Sequence, residues 1–316
     1  MLGKIVLFTL FFSLSAWATS AHIRQLQELF YHKVIVDNIY KERFASFLKK
    51  NCQSDDTECQ KMILVKLQHD ISIENDKKLQ QLYEFRLERT LITHRYWENL
   101  ERFLQMKKKL FTTSQFVTFI DLSKQHLLLL LWHEKHQSFY LIGSDLISSG
   151  NIEKEGSVIN GEDHYLKTPA GVFSISSGWR STGKRLANGI TLPYGQKDRF
   201  VYYFGKQKSK RYQTLDDFGV KYKDPKKWTL IEDELAFAIH AHKSETYLGK
   251  PFSHGCVRMS NELNLFMDNN LVLHKKVLDG TKWISRSANP PKSPKNYDFA
   301  GEYLIIVDHL KSKRSK

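Results

Sequence analysis

The chain has 316 residues, 41% of them hydrophobic and 26% charged, and a formal net charge of +14. That length is enough for two domains of ordinary size. The basic excess suits an anionic polymer or a membrane face, though a merely solvated surface looks the same, and no segment after the first twenty residues is apolar enough to span a bilayer.

The N-terminus carries Lys4, the apolar run IVLFTLFFSLSAW and then Ala16-Trp17-Ala18. One positive charge, a short apolar core and a small-x-small site predict a secretory signal peptide over 1–18, with cuts after Ser20 or Ala21 as alternatives. The apolar run falls short of the roughly 20 residues of a spanning helix. The mature chain is therefore expected outside the cytoplasm, free or held peripherally, where nucleic acid is not a partner. In an oxidising compartment Cys52 and Cys59, flanking the polar stretch QSDDTE, are expected to form a local disulfide. Cys256 is then left over as an unpaired thiol.

Residues 22–110 contain neither glycine nor proline, and Ile23, Leu26, Phe30 and Val34 recur at helical spacing. This predicts a helical domain of three or four helices, broken near Cys52–Cys59 and near 70–75. It holds no catalytic constellation, and its expected roles are homodimerisation, binding of a protein partner or shielding of the second domain.

Near residue 111 the composition changes. Phe116 to Leu122, Leu127 to Trp132 and Phe139 to Ile142 read as strands, and Gly143 is the first glycine since Gly3. Thr168-Pro169-Ala170-Gly171 is a turn leading into a strand from Val172 to Ile175. Between 198 and 233 lies a polar, basic stretch bearing Tyr202, Tyr203, Phe204, Tyr212 and Trp228. A connector with Pro290, Pro291 and Pro294, a strand from Tyr303 to Val307 and a basic tail fill 286–316. The fold class is α+β and multi-domain: an all-helical N-terminal region, then a mostly β domain.

The stretch the chain is organised around is FAIHAHKSETYLGKPFSHGCVRM, Phe237 to Met259. Phe237 and Ile239 lead into His240 as a strand, Gly249 and Pro251 mark a loop, and Ser260-Asn261-Glu262 reads as a helix start. A thiol just before a helix, with histidines arriving on a strand, is the layout of a cysteine nucleophile with its base. His240 and His242 lie at i and i+2, on one face, and either can serve as that base. The amides of the His254-Gly255-Cys256 turn can form an oxyanion hole, and Arg258 can take a substrate carboxylate. His-x-His, a later histidine and a cysteine can also bind zinc, although no Cys-x-x-Cys or His-Glu-x-x-His spacing accompanies them.

Ile239-His240, Leu248-Gly249-Lys250-Pro251 and Ser253-His254-Gly255-Cys256-Val257-Arg258-Met259-Ser260-Asn261-Glu262 together resemble the signature of YkuD-type L,D-transpeptidase catalytic domains, and Thr168-Pro169-Ala170-Gly171-Val172-Phe173 resembles that family's TPxGxF turn. The resemblance covers 115–285. It implies a sandwich-like β fold, no cofactor or metal, and cysteine acyl transfer on peptidoglycan stem peptides, with Cys256 as nucleophile and His240, sixteen positions earlier, as base. It further implies that the carbonyl of residue 241, here Ala241, orients the imidazole, that His254 lines the site, and that Ser253 and Gly255 shape the turn. His242 is left as a substrate contact or a bystander. The expected reaction is L,D-transpeptidation, with L,D-carboxypeptidase trimming as the alternative at the same site and a non-catalytic wall-binding protein as a third reading. Thr168 and His240 stand 72 positions apart, longer than a minimal domain needs, and the excess in 198–233 is expected to form a lid or wall.

Overall fold

The run of leucines at Leu127–Leu131 has no polar face because it is buried on both. In the computed structural model, which describes residues 20–36, 88–153, 166–175, 177–183, 194–216, 218–220, 222–242, 247–278 and 297–310, β1 (Gln115–Asp121) and β2 (His126–His133) pair antiparallel as central strands of a sheet. Leu127, Leu129 and Leu131 point into one apolar cluster, and Leu128, Leu130 and Trp132 into another on the opposite face. The proposed signal peptide, Cys52 and Cys59 lie outside the described residues.

That first sheet has the order β3-β2-β1-β9-β4, with β3 at Ser138–Leu146, β4 at Gly171–Ser174 and β9 at Tyr303–Val307. The last strand runs parallel to β1 and is wedged between β1 and β4, so the C-terminal segment completes the sheet. The second sheet has the order β5-β6-β7-β8: Ser177–Arg180, Phe200–Gln213, Thr229–Ala241 and Val257–Met259. The two sheets enclose a core to which Phe116, Ile120, Phe200, Tyr202, Phe237, Ile239, Val257 and Met259 all contribute. The architecture is thus helical N-terminal segments followed by a mostly β, two-sheet domain, as the sequence pattern predicts.

The described parts of the N-terminal region pack on that domain. Helix α1 (Ser20–Phe30), with the π-helical turn Tyr31–Val36, sends Ile23, Leu26, Phe30, Val34 and Ile35 into the inter-sheet core. Gln27 Nε2 donates to the carbonyl of Leu141 on the edge strand β3, at 2.7 Å. Helix α2 (His94–Gln105), capped by Thr93 through the N–H of Tyr96, lays Leu100 and Leu104 on the outer face of the first sheet beside Phe111. Helical spacing is legible in the first segment, and the second stands out by its lack of glycine and proline. What they pack on stays open, from sequence alone, among a second copy, another protein and the β domain.

The stretch 198–233 forms most of the β6–β7 hairpin. Its distal part is a two-stranded ribbon paired from Gly205↔Phe237 to Gln213↔Thr229, beyond the reach of β5 and β8. Ribbons of two strands are marginal alone. Here Lys167 N–H donates to the Lys210 carbonyl at 3.0 Å, the Ser209 hydroxyl donates to the Lys167 carbonyl, and Tyr212 OH donates to Glu153 at 3.2 Å.

Candidate active site

Strands β7 and β8 run parallel, with Ile239 opposite Val257 and His240 opposite Arg258. Side chains alternate along a strand. Ile239, Ala241, Val257 and Met259 therefore turn into the core, where all four are fully buried, and His240 and Arg258 share the opposite face, with Cys256 just before β8 hydrogen-bonded at Ala238. Just past β8, Ser260 caps helix α3 (Asn261–Asn269): its hydroxyl accepts from Leu263 N–H at 3.1 Å and donates to Asp145 at 2.8 Å. The Cys256 turn is held between a strand in the sheet and a capped helix.

The turn itself is heavily hydrogen-bonded. Ser253, fully buried, accepts from Gly255 N–H at 3.1 Å through its hydroxyl and donates to the Cys256 carbonyl. Gly255 has φ +141°, and a Cβ there would lie 2.8 Å from Leu166 Cβ, so both backbone and space require glycine. Two outer segments grip the turn. From one, the Ser149 carbonyl accepts from Phe252 N–H at 2.9 Å and Ser253 N–H at 2.8 Å. From the other, Leu166 N–H donates to the His254 carbonyl at 2.9 Å, and the Thr168 hydroxyl donates to the Gly255 carbonyl at 2.6 Å.

His240 is 3% exposed, and its Nδ1 lies 2.7 Å from the Ala241 carbonyl. A carbonyl only accepts, so the proton sits on Nδ1 and the Nε2 lone pair is free to take another. Ala241 is itself pressed by Gly195, at φ +80°, where a Cβ would fall 2.7 Å from the Ala241 oxygen. Burial holds the His240 imidazole far below its ordinary value, at about 3; the bond to Ala241 opposes this, and the charges of Arg258, His242 and His254 add to it. Cys256, unpaired and partly exposed, has its thiol pushed up by burial, partly offset by a backbone hydrogen bond at Ala238 and by the Arg258 charge. At neutral pH the thiol and the imidazole therefore both rest uncharged, and a cysteine held this way gives up its proton only on reaction.

The other residues singled out in the sequence lie close by. Arg258 Nη2 donates to His254 Nδ1 at 2.9 Å, and Nη1 reaches the Phe252 carbonyl at 3.4 Å. This leaves the His254 proton on Nε2. His242 donates its N–H to the Met259 carbonyl at 3.1 Å and accepts at its own carbonyl from Asn261 at 3.2 Å. Its ring bears on His240 through charge. Among the described residues no three His, Cys, Asp or Glu side chains are grouped to hold a metal ion.

An aromatic wall went unread in the sequence. The Tyr194 ring stands perpendicular to His240 at 5.3 Å, and Trp179 stands perpendicular to Tyr194, also at 5.3 Å. Tyr194 is close enough to Cys256 for the thiolate charge to add to burial in raising its phenol. Only the Pro-Tyr-Gly sequence at 193–195, with a glycine two residues past a proline, signals a turn there.

Comparison with known proteins gives one strong match. Residues 115–285 match the YkuD family model, the L,D-transpeptidase catalytic domain. No curated protein matches. Among solved structures, an L,D-transpeptidase from Xylanimonas cellulosilytica is 16% identical with a TM-score of 0.28, each chain covered to 62%. The Bdellovibrio bacteriovorus protein Bd1075 is 16% identical with a TM-score of 0.27, covering 63% of this chain and 49% of that one. An L,D-transpeptidase from Mycobacterium smegmatis is 12% identical with a TM-score of 0.24, covering 49% and 53%. The chain thus spans about three fifths of the first of these or less, and the family match carries the assignment.

Proposed function

Because this chain belongs to the YkuD family of L,D-transpeptidase catalytic domains, matched over residues 115–285, we propose that it is a periplasmic L,D-transpeptidase of peptidoglycan acting through a Cys256 thioester. The observation that carries the reading is the His240 ring, whose Nδ1–H is committed to the Ala241 carbonyl, with Cys256 hydrogen-bonded to the same strand at Ala238 and Tyr194 close to both. Export is supported by the N-terminal apolar run ending at Ala18. Among the described residues no helix is long and apolar enough to cross a membrane.

In the proposed reaction a tetrapeptide stem enters as donor. As the Cys256 sulfur attacks the carbonyl carbon at the L-centre of the third residue, His240 Nε2 takes the thiol proton. The carbonyl oxygen gathers negative charge and is met by backbone amide at the turn. The C–N bond to the terminal D-alanine then breaks, and the imidazolium returns its proton to the departing amine. The amine of a second stem attacks the thioester, giving a 3–3 cross-link and restoring the thiol. Water in place of that amine would give a tripeptide instead.

Incubating the purified protein with tetrapeptide muropeptides and resolving the products by liquid chromatography tests this. Cross-linked dimers are expected, lost in Cys256→Ala and His240→Ala. Tripeptides alone would replace transpeptidation with L,D-carboxypeptidase action, and no product from either would remove the enzymatic reading.

A further inference from the structure

We infer that Thr168 is a positioning residue that aims the N–H of Cys256 at the developing oxyanion. The inference rests on the reading of Cys256 as an acyl-accepting thiol and asks which amide serves it. Three amides belong to the His254-Gly255-Cys256 turn, and the structure does not leave them equivalent. The Gly255 N–H is consumed by the Ser253 hydroxyl at 3.1 Å. Among the described residues the Cys256 N–H has no hydrogen-bond acceptor.

Peptide geometry connects that amide to Thr168. The chain has no cis peptide among its described residues, and in a planar trans peptide the C=O and the following N–H point in opposite directions. The Gly255 carbonyl and the Cys256 N–H are two ends of one such plane. Thr168, 1% exposed, donates its hydroxyl to that carbonyl at 2.6 Å. The same oxygen accepts from Gly150 N–H at 2.8 Å. A hydroxyl has one proton, and the Gly150 bond orients the oxygen so that the proton goes to Gly255. Gripping the carbonyl from the Thr168 side turns the Cys256 N–H away from it. At φ +141° Gly255 has little intrinsic preference to hold this plane unaided.

Thr168 is itself well anchored. Its neighbours Leu166 and Lys167 bond to the His254 carbonyl and to the Lys210 carbonyl, at 2.9 and 3.0 Å, and β-branching restricts its side-chain torsion. Among the described residues the TPxGxF turn hydrogen-bonds the SHGC turn through the Thr168 hydroxyl.

Two reagents separate aiming from general integrity. p-Nitrophenyl acetate acylates the thiol: the S–C bond forms, the thiol proton passes to His240, and p-nitrophenolate leaves with its electron pair, through a tetrahedral oxyanion. Iodoacetamide alkylates the same sulfur by displacing iodide and forms no oxyanion. In Thr168→Val acylation should fall about 100-fold, the scale of a lost oxyanion donor, with alkylation close to that of wild type. Thr168→Ser should retain both. Thr168→Ala, which leaves room for a water, takes the place of the valine variant if that one does not fold, and the same split is expected. Parallel loss of both reactions, unchanged acylation, or failure of the serine variant to rescue would each overturn the role of Thr168. The ratio needs no cell-wall substrate, so a protein without muropeptide products still tests it. Wild type that is alkylated but never acylated would instead sink the nucleophile reading.

Discussion

Phe30, the last residue of α1, is 2% exposed and lies against Gly143 of β3. A Cβ at Gly143 would fall 2.2 Å from Phe30 Cδ1 and 2.3 Å from Cε1, where carbon atoms prefer roughly 3.5–4.0 Å. The ring would have to retreat by more than about 1 Å, and it already meets Phe266 edge-on at 5.2 Å. Gly143→Ala should therefore cost about 1–3 kcal/mol of overpacking. Phe30→Ala should cost about 3–5 kcal/mol for the lost burial and cavity. It also vacates the space the new methyl needs. In the double variant the cost of Gly143→Ala should nearly vanish, a coupling of about 1–3 kcal/mol where independent sites add to within about 0.5 kcal/mol. Urea unfolding of the four proteins, followed by tryptophan fluorescence, measures the cycle. Additive costs, or a Phe30→Ala cost below about 1 kcal/mol, would mean that α1 is not seated on β3 and that the N-terminal region stands apart from the β domain.

Acid should destabilise the fold in a defined window. Burial lowers His126 to about 4 and His240 to about 3, against about 6.5 in the unfolded chain. The unfolded state binds the extra protons, so stability is complete above pH 6.5 and is lost as pH falls through these values; His126→Asn should remove up to about 3 kcal/mol of that slope, seen by urea titration at pH 7 and pH 4. Arg180 grips buried Asp268 at 2.7 and 3.1 Å, with His274 3.2 Å from the same carboxylate. Arg180→Met should cost about 3–5 kcal/mol, and adding Asp268→Asn should recover part of it; no recovery would show that packing, not the stranded carboxylate, carries the cost. Iodoacetamide alkylation of Cys256 should keep rising above pH 8, since burial raises the thiol. A plateau below pH 7 would reveal a preformed thiolate–imidazolium pair and contradict the neutral resting state.

The legible part of the sequence was the part where one physical cause fixes one pattern. Ser260 with its following apolar residues specified a capped helix, and Phe237 and Ile239 leading into His240 specified a strand, which is buried on both faces from Phe237 to Ala241. Leu127–Trp132 could be read as a buried strand but not as one buried on both faces, because the second covering layer, α2, lies in a segment whose helical spacing does not name its partner. The amphipathic face of α1 has the same ambiguity: Ile23, Leu26 and Phe30 announce that something is buried, not what against. At the site, contacts made by topology were the ones sequence spacing did not give. Thr168 stood out as part of the TPxGxF turn, but not its reach to Gly255 across 87 positions, and Tyr194 reaches His240 from a turn with no recurring pattern. Arg258, read as a substrate ligand, spends part of its guanidinium on His254 and Phe252, a contact four residues away that depends on how the turn closes.

The central claim is that the Cys256 sulfur accepts the acyl group with His240 as its base. Intact-protein mass spectrometry after incubation with a carbapenem, followed by peptide mapping, tests it most directly. The account predicts one covalent adduct per chain, mapped to Cys256, absent in Cys256→Ala and formed at least about 100-fold more slowly in His240→Ala, the loss expected when a general base is removed. An adduct on any other residue, or full acylation of Cys256→Ala, would contradict it.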